Sequence, residues 1–441
     1  MTSALVRGSI LPIQRPRPWD AVTVLKGFIV IQFVIPSDQR ILSMGAAGSP
    51  AILYALGALV WWLWHRIRYT APQRSGPARS LRAALYIFLA AMVAAYAAAN
   101  VTALPISEQN MADMGMIRVV AMVGLVLVTA DGIPSVERLM NFVRFLCGFG
   151  AAYASLGLFQ FFTGISVIDA VVIPGLQSTG AVGVDERGGF VRAVATAMHP
   201  LEYATVLSMV LPLCIAVAVF DRKYSGFVRW YPVVVISMCS VLSVSRSALI
   251  GAAAVFLIML PALPRAMRGV MIVMMCFGMA AVYALVPGMA GTIVGLFFEP
   301  DPSVSSRTGS YDIALEFLRV SPVFGRGLGT FLPTYHIFDN QFVLLLIETG
   351  ALGFISFLLL LLVPMVVVLR CRGRFAQGPM QAIGVALLAS LAAGALLSAF
   401  FDSLSFPQSE SLIFLIIGVA GAYAALAPHS SKLVGREVQP R

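Results

Sequence analysis

Five arginines, Arg187, Arg192, Arg246, Arg307 and Arg326, punctuate a chain that is otherwise dominated by apolar residues. Arg187 and Arg192 lie in "DERGGFVRAVATAMHP", Arg246 in "VLSVSRSALIG", and the other two between apolar runs that end near 287 and restart at 341. A guanidinium offers a planar fork of donors that matches phosphate oxygens bidentately and stays charged in a partly dry site. Several on one face suit the pyrophosphate of a lipid-linked substrate. The competing use is pairing of each arginine with a nearby carboxylate or a lipid headgroup.

Proton-transfer candidates cluster in "FDNQFVLLLIETGALG", residues 338–353. If the helix there begins early, His336, Asp339 and Asn340 stand at i, i+3 and i+4 on one face. Asp339, with His336 as understudy, is then placed to act as a general base. Glu348 lies about 13 Å deeper at helical rise and is expected to pair inside the protein, while Gly350 and Gly353 permit close helix packing. His199 in "MHPLEY" reads as a hydrogen-bonded structural residue. Ser245 and Ser247 lack a nucleophile elbow or a partnered histidine, so capping and packing are their expected uses. "GRGLG" at 325–329 follows no strand and precedes no ribose-binding acid, which excludes a dinucleotide loop and leaves a turn. The five cysteines form no CxxC pair and have no histidine at metal spacing, so neither metal nor disulfide is expected, and no cofactor.

The elements that must hold these residues are membrane helices. The 441 residues are 59% hydrophobic and only 11% charged, against roughly 25% charged in soluble domains. Apolar windows mark about twelve spans, near 21–36, 48–64, 83–100, 115–131, 138–163, 201–220, 230–245, 247–263, 269–287, 341–369, 380–400 and 410–427. The expected fold is therefore all-α: a single polytopic membrane domain over 1–441. The net charge of +10 is not a nucleic-acid footprint. Its basic clusters, such as "HRIRYTAPQRSGPARSLR" and "RCRGR", fall in alternate connections, which the positive-inside rule assigns to the cytoplasm. N-in and C-in topology follows, with Trp61, Trp62 and Trp64 as interfacial anchors. Two long outer loops remain, 164–200 and 288–340. In the second, Ile313, Leu315, Phe317 and Leu318 are expected to line one side of a short amphipathic helix ended by Pro322. The N-terminal 20 residues do not read as a cleavable signal.

Four stretches in this order resemble the bacterial O-antigen ligase and O-antigen polymerase superfamily, integral membrane glycosyltransferases that use undecaprenyl-pyrophosphate-linked glycans. "RAVATAMHPLEYATVLSMVLP" is similar to the family's Arg and His-Pro segment, and "SVSRSALIG" to its Ser-Arg turn. "SRTGSYDIALEFLRVSPVFGRGLGTF" is similar to its Arg, aromatic, Ala, Pro, Gly-x-Gly series, and "DNQFVLLLIETGALG" to its closing segment. The resemblance spans about 180–365. It implies that Arg246 and Arg307 bind pyrophosphate with Arg192 helping, and it sets Arg187, Arg326, Tyr311 and Asn340 beside them on the substrate side. The ligase branch is expected to carry His, then Asn, Ser or Gln, then nine residues, then Gly-x-x-Gly. This chain keeps Asn340, Gly350 and Gly353 at that spacing but has Asp339 in the histidine's place, which favours a polymerase-like enzyme.

The reaction so implied is an inverting, metal-independent transfer at the outer face of the inner membrane. An acceptor sugar hydroxyl attacks the anomeric carbon of the lipid-pyrophosphate-linked glycan while outer arginines stabilise the departing charge. Its implied partners are that donor, the glycan acceptor, membrane lipids and a chain-length regulator, with no nucleic acid. Two other readings are kept: an O-antigen ligase acting on lipid A-core, and a transporter or flippase. Transport would place charge near the bilayer midplane, where Lys26 is the main candidate.

Overall fold

The structure, a computed structural model, describes residues 20–68, 77–166, 171–178, 186–187, 190–243, 245–285 and 313–428. The chain is an all-α polytopic membrane protein. Within the described residues the long helices are α1 (Ala21–Val34), α2 (Pro50–Arg68), α3 (Pro77–Val101), α4 (Ile106–Gly132), α5 (Val136–Thr163) and α6 (Pro200–Phe220). They continue as α7 (Gly226–Leu242), α8 (Arg246–Met259), α9 (Arg265–Leu285), α10 (Gln341–Arg372), α11 (Pro379–Leu397) and α12 (Pro407–Leu426). Each overlaps one of the apolar windows, with α3 and α4 starting six and nine residues before theirs. Seven of them are long and apolar enough to cross a membrane by length and composition. Strand structure in the described residues is confined to two antiparallel pairs, Gln39–Arg40 with Gln177–Ser178 and Glu186–Arg187 with Phe190–Val191.

Local chemistry sets where the helices start and stop. Asp20 and Ser135 accept from the backbone amides of Thr23 and Arg138 to cap α1 and α5, and Gly164, with φ of 71°, ends α5 in the left-handed conformation glycine favours. In a bilayer every backbone group of a span must be satisfied within its own helix, which is why apolar runs become helices here. Helices then associate through close contact of small residues rather than through water release. Gly157 of α5 shows this, since a Cβ there would overlap the Tyr203 hydroxyl of α6. α6 and α12 are almost wholly buried at the centre, whereas α3 and α10 bury less than half of their most apolar stretch and turn the rest outward.

Ion pairs show that neighbouring helices alternate in direction. Asp20 at the start of α1 pairs with Arg138 at the start of α5, Asp131 at the end of α4 with Arg82 near the start of α3, and Asp221 just after α6 with Arg144 of α5. At the opposite end, Arg118, about midway along α4, pairs with Glu410 near the start of α12, and Glu108 near the start of α4 pairs with Arg326. The first end carries the basic clusters and the stacked pairs Arg66 over Trp62 and Arg68 over Trp64, each at 5.6 Å. The second end carries Asp339 and the residues around it. Lys26, the candidate deep charge, donates to Asn141 at 2.8 Å and lies 5.0 Å from the Phe145 ring, towards the basic end.

Candidate active site

Asp339 sits at the mouth of α10. The helix begins at Gln341, and residues 336–340 are not helical. The expected shared face of His336, Asp339 and Asn340 is therefore replaced by a cap. Asn340 has extended backbone, and its Oδ1 accepts from the amides of Phe342 (3.0 Å) and Val343 (3.4 Å). The side chain proposed for substrate is thus engaged at the helix start, while His336 packs edge-on against Phe338 with centroids 4.8 Å apart.

The next residue ties this mouth to the link between α11 and α12. The Gln341 amide donates to the carbonyls of Ser398 (2.9 Å) and Phe401 (3.2 Å), and its side-chain Oε1 accepts from the Leu404 amide at 2.7 Å. Those three contacts bring Asp402 beside Asp339. Burial and the Asp339 charge push the Asp402 carboxyl up to about 6, against the opposing pull of a Ser405 hydrogen bond and of Arg118. Arg118 itself binds Glu410 through Nη2 (2.8 Å) and Nε (3.2 Å) and donates to the Leu404 carbonyl. Two carboxylates and a clamped guanidinium therefore surround the link.

Behind Asp339, "GRGLG" docks into a break in α10. Gly350 has φ of 62° and ψ of −166°, outside the helical range and in a region that side chains avoid. Around it, Ala351 and Leu352 donate to the carbonyls of Pro322 (2.9 Å) and Val323 (3.1 Å), and Arg326 and Gly327 donate to those of Ile347 (2.9 Å) and Glu348 (2.8 Å). A Cβ at Gly350 would overlap the Val323 backbone, so the expected role in helix packing is corrected: this glycine admits a loop. Glu348 pairs inside the protein as expected, its Oε1 accepting from the Phe331 amide at 3.3 Å.

Arg326 is held by one carboxylate and two aromatic rings. Its Nη2 and Nε bond Glu108 at 2.7 and 3.2 Å, and its guanidinium lies 5.7 Å from the Phe317 ring and 5.6 Å from the Tyr335 ring. The Tyr335 hydroxyl donates to the same carboxylate at 2.6 Å, which raises the phenol above its usual range. Arg326 thus latches the 313–340 segment onto α4. The short helix over 313–320 turns Ile313, Ala314 and Phe317 towards Phe331 and Phe338. Leu315, expected on that face, is exposed instead because it lies on the opposite side of the turn.

Arg192 follows the strand Phe190–Val191 and leads into a segment bonded to three helices. Gln160 of α5 accepts from the Val194 and Ala195 amides (3.1 and 2.6 Å) and donates to the Ala195 carbonyl (3.2 Å). Thr196 donates to the Phe33 carbonyl at 2.8 Å, and Met198 donates to Ser37 (2.8 Å) and Glu202 (3.0 Å). Glu202 also accepts from the Gln408 amide at 2.6 Å. His199 caps α6, its Nδ1 accepting from the Leu201 amide at 3.2 Å, the structural use expected of it. Its ring stands 5.4 Å from Phe406, which stands 5.4 Å from Phe401. The α11–α12 link therefore touches the Asp339 side and the Arg192 side alike.

Arg246 opens α8. Ser245 caps that helix by accepting from the Ala248 amide at 3.5 Å, again the expected use, and α8 packs on α6 and α11 through Gly251 against Ser208 and Leu397. Arg246 consequently lies at the same end as Arg192 and Asp339. Arg187 belongs to the hairpin strand Glu186–Arg187. Arg307 and Tyr311 fall outside the described residues. Among the described residues no three His, Cys, Asp or Glu side chains gather as metal ligands would.

Residues 231–358 match the family model described as O-antigen ligase. That stretch is an O-antigen ligase-like domain. It runs from α7 through Arg246, Arg307 and Arg326 to the Gly350 break, and it includes His336 and Asp339 but not Arg192. The chain is thus a polytopic membrane protein that carries an O-antigen ligase-like domain. No curated protein matches it.

Several residues that build the site around the O-antigen ligase-like domain were not singled out from sequence: Arg118, Glu108, Glu202, Asp402 and Glu410. Their signal was present, because each is an ionisable residue within or beside an apolar run, and such residues are retained for a partner or a function. Their pairings join positions far apart in the chain and became visible only with the fold.

Proposed function

We propose that the chain is a polymerase-like glycosyltransferase that joins lipid-pyrophosphate-linked glycan units at the outer face of the inner membrane. The observation that carries this reading is Asp339 at the mouth of α10, braced on the α11–α12 link beside Asp402. Arg192 and Arg246 stand at the same end of the protein. An acceptor sugar hydroxyl attacks the anomeric carbon of the donor glycan, and its oxygen forms the new glycosidic bond with inversion. The bond from that carbon to the undecaprenyl pyrophosphate breaks, and its electron pair leaves on the pyrophosphate. The hydroxyl proton passes to Asp339. Arg246 and Arg307, with Arg192 as helper, stabilise the charge that develops on the leaving group. Arg246→Ala and Arg307→Ala are each expected to abolish polymer with the protein still inserted; normal chain-length ladders from both would remove this assignment.

A ligase reading is favoured by one observation, the match of 231–358 to a family described as O-antigen ligase. It transfers the finished polymer to lipid A-core by the same chemistry. Supplying purified lipid-linked polymer together with rough lipopolysaccharide separates the two. A joined product supports the ligase, and extension of the lipid-linked chain alone supports the polymerase.

A further inference from the structure

One residue near the candidate site holds a backbone conformation that its side chain disfavours. Ala195, three residues after Arg192, has φ of 53° and is the one non-glycine residue with positive φ among those described. Residues in such regions persist only where the surroundings over-determine them, and they concentrate at functional sites.

The over-determining group here is a single buried amide. Gln160, 3% exposed near the end of α5, reads both polar groups of Ala195 and adds the Val194 amide, as a neighbouring strand would. Downstream, the Thr196 and Met198 bonds to α1 and α6 fix the exit of the segment. Upstream, the chain leads through Ala193 directly to Arg192 and the short strand before it.

We propose that Gln160 is a positioning residue for Arg192: by clamping the strained turn at Val194–Ala195 it aims the guanidinium at the pyrophosphate of the donor. This rests on the reading of Arg192 as a pyrophosphate ligand. A side chain on a loop can serve as a ligand only when its backbone is fixed. Gln160 supplies that fixity from the rigid end of a membrane helix, and its own three hydrogen bonds leave its rotamer no freedom.

The test uses the full chain in detergent and measures binding of undecaprenyl pyrophosphate, with undecaprenol as the phosphate-free control. Gln160→Leu removes all three bonds and is expected to weaken undecaprenyl pyrophosphate binding about tenfold, the loss of one charge-assisted contact, while undecaprenol binding stays unchanged. Gln160→Glu keeps both accepted bonds but turns a carboxylate towards the Ala195 carbonyl, so it should weaken binding less, and it carries the same readout if the leucine variant fails to insert. In an Arg192→Ala background neither substitution should weaken binding further, because the clamp acts only through that arginine. Unchanged binding in the inserted Gln160 variants, parallel loss of undecaprenol binding, or full additivity with Arg192→Ala overturns the proposal. Wild-type binding by Arg192→Ala alone instead overturns the reading of Arg192.

Discussion

Asp402 illustrates what one residue can contribute without any sequence motif to announce it. It lies in the link between α11 and α12, outside the spans, and burial with the adjacent Asp339 charge raises its carboxyl from 3.8 to about 6. A carboxyl whose folded value is raised contributes stability that is fully present below the unfolded value and lost as pH rises through the folded one. The loss therefore falls between about pH 4 and pH 6, on the order of 1–3 kcal/mol. Asp402→Asn removes the titration, so in detergent the variant should gain more melting temperature relative to wild type at pH 7.5 than at pH 4.5. An equal offset at both values would refute the buried-charge account of this residue. The residues legible from sequence at this scale were those whose type alone is informative. His199 and Ser245 precede helix starts, and each caps its helix. Asn340 stands one residue before a helix, and its capping use was not read because the residue was assigned to substrate.

At the scale of elements, α10 is two helices joined at Gly350, and the loop 321–327 closes the break with four backbone hydrogen bonds. Replacing that glycine by alanine forces a side chain into a region of backbone space nearly reserved for glycine, at a cost of roughly 1–3 kcal/mol, and meets the Val323 backbone as well. Gly350→Ala should lower the melting temperature and reduce activity together, because the displaced loop carries Arg326 and leads to Asp339. Retained stability and activity would mean that the break is not needed to hold the mouth of α10. The existence of the long helices was legible, because bilayer thickness demands long apolar runs and little else satisfies it; the polar first turns of α4 were not. The break was not. An apolar run with two glycines looks the same whether its glycines serve a helix contact or a docked loop. Only the pairing of 321–327 with 347–352 distinguishes them.

The whole molecule is a bundle whose two ends differ in charge and in use. Alternating helix direction gathers the basic clusters, Trp61, Trp62 and Trp64 at one end and Arg192, Arg246, Asp339 and Asp402 at the other. The positive-inside pattern assigns the first end to the cytoplasm, so the proposed glycan chemistry would take place outside. In a Cys276→Ser background, Thr334→Cys at the site end should react with a membrane-impermeant maleimide in intact spheroplasts, and Gln377→Cys at the basic end should not. The reverse labelling would invert the topology. Composition and charge asymmetry made this scale the most readable of the three. The polar network joining Ser37, Glu202 and Gln408 across α1, α6 and α12 was hidden, because its members are separated by more than one hundred and fifty residues.

The most direct test reconstitutes the purified chain in proteoliposomes with an undecaprenyl-pyrophosphate-linked oligosaccharide and follows both glycan length and release of undecaprenyl pyrophosphate. The expected result is extension with one pyrophosphate-lipid released per bond formed, lost in Asp339→Asn while donor binding persists. Translocation of the lipid-linked glycan without extension, or wild-type extension by Asp339→Asn, would contradict the assignment.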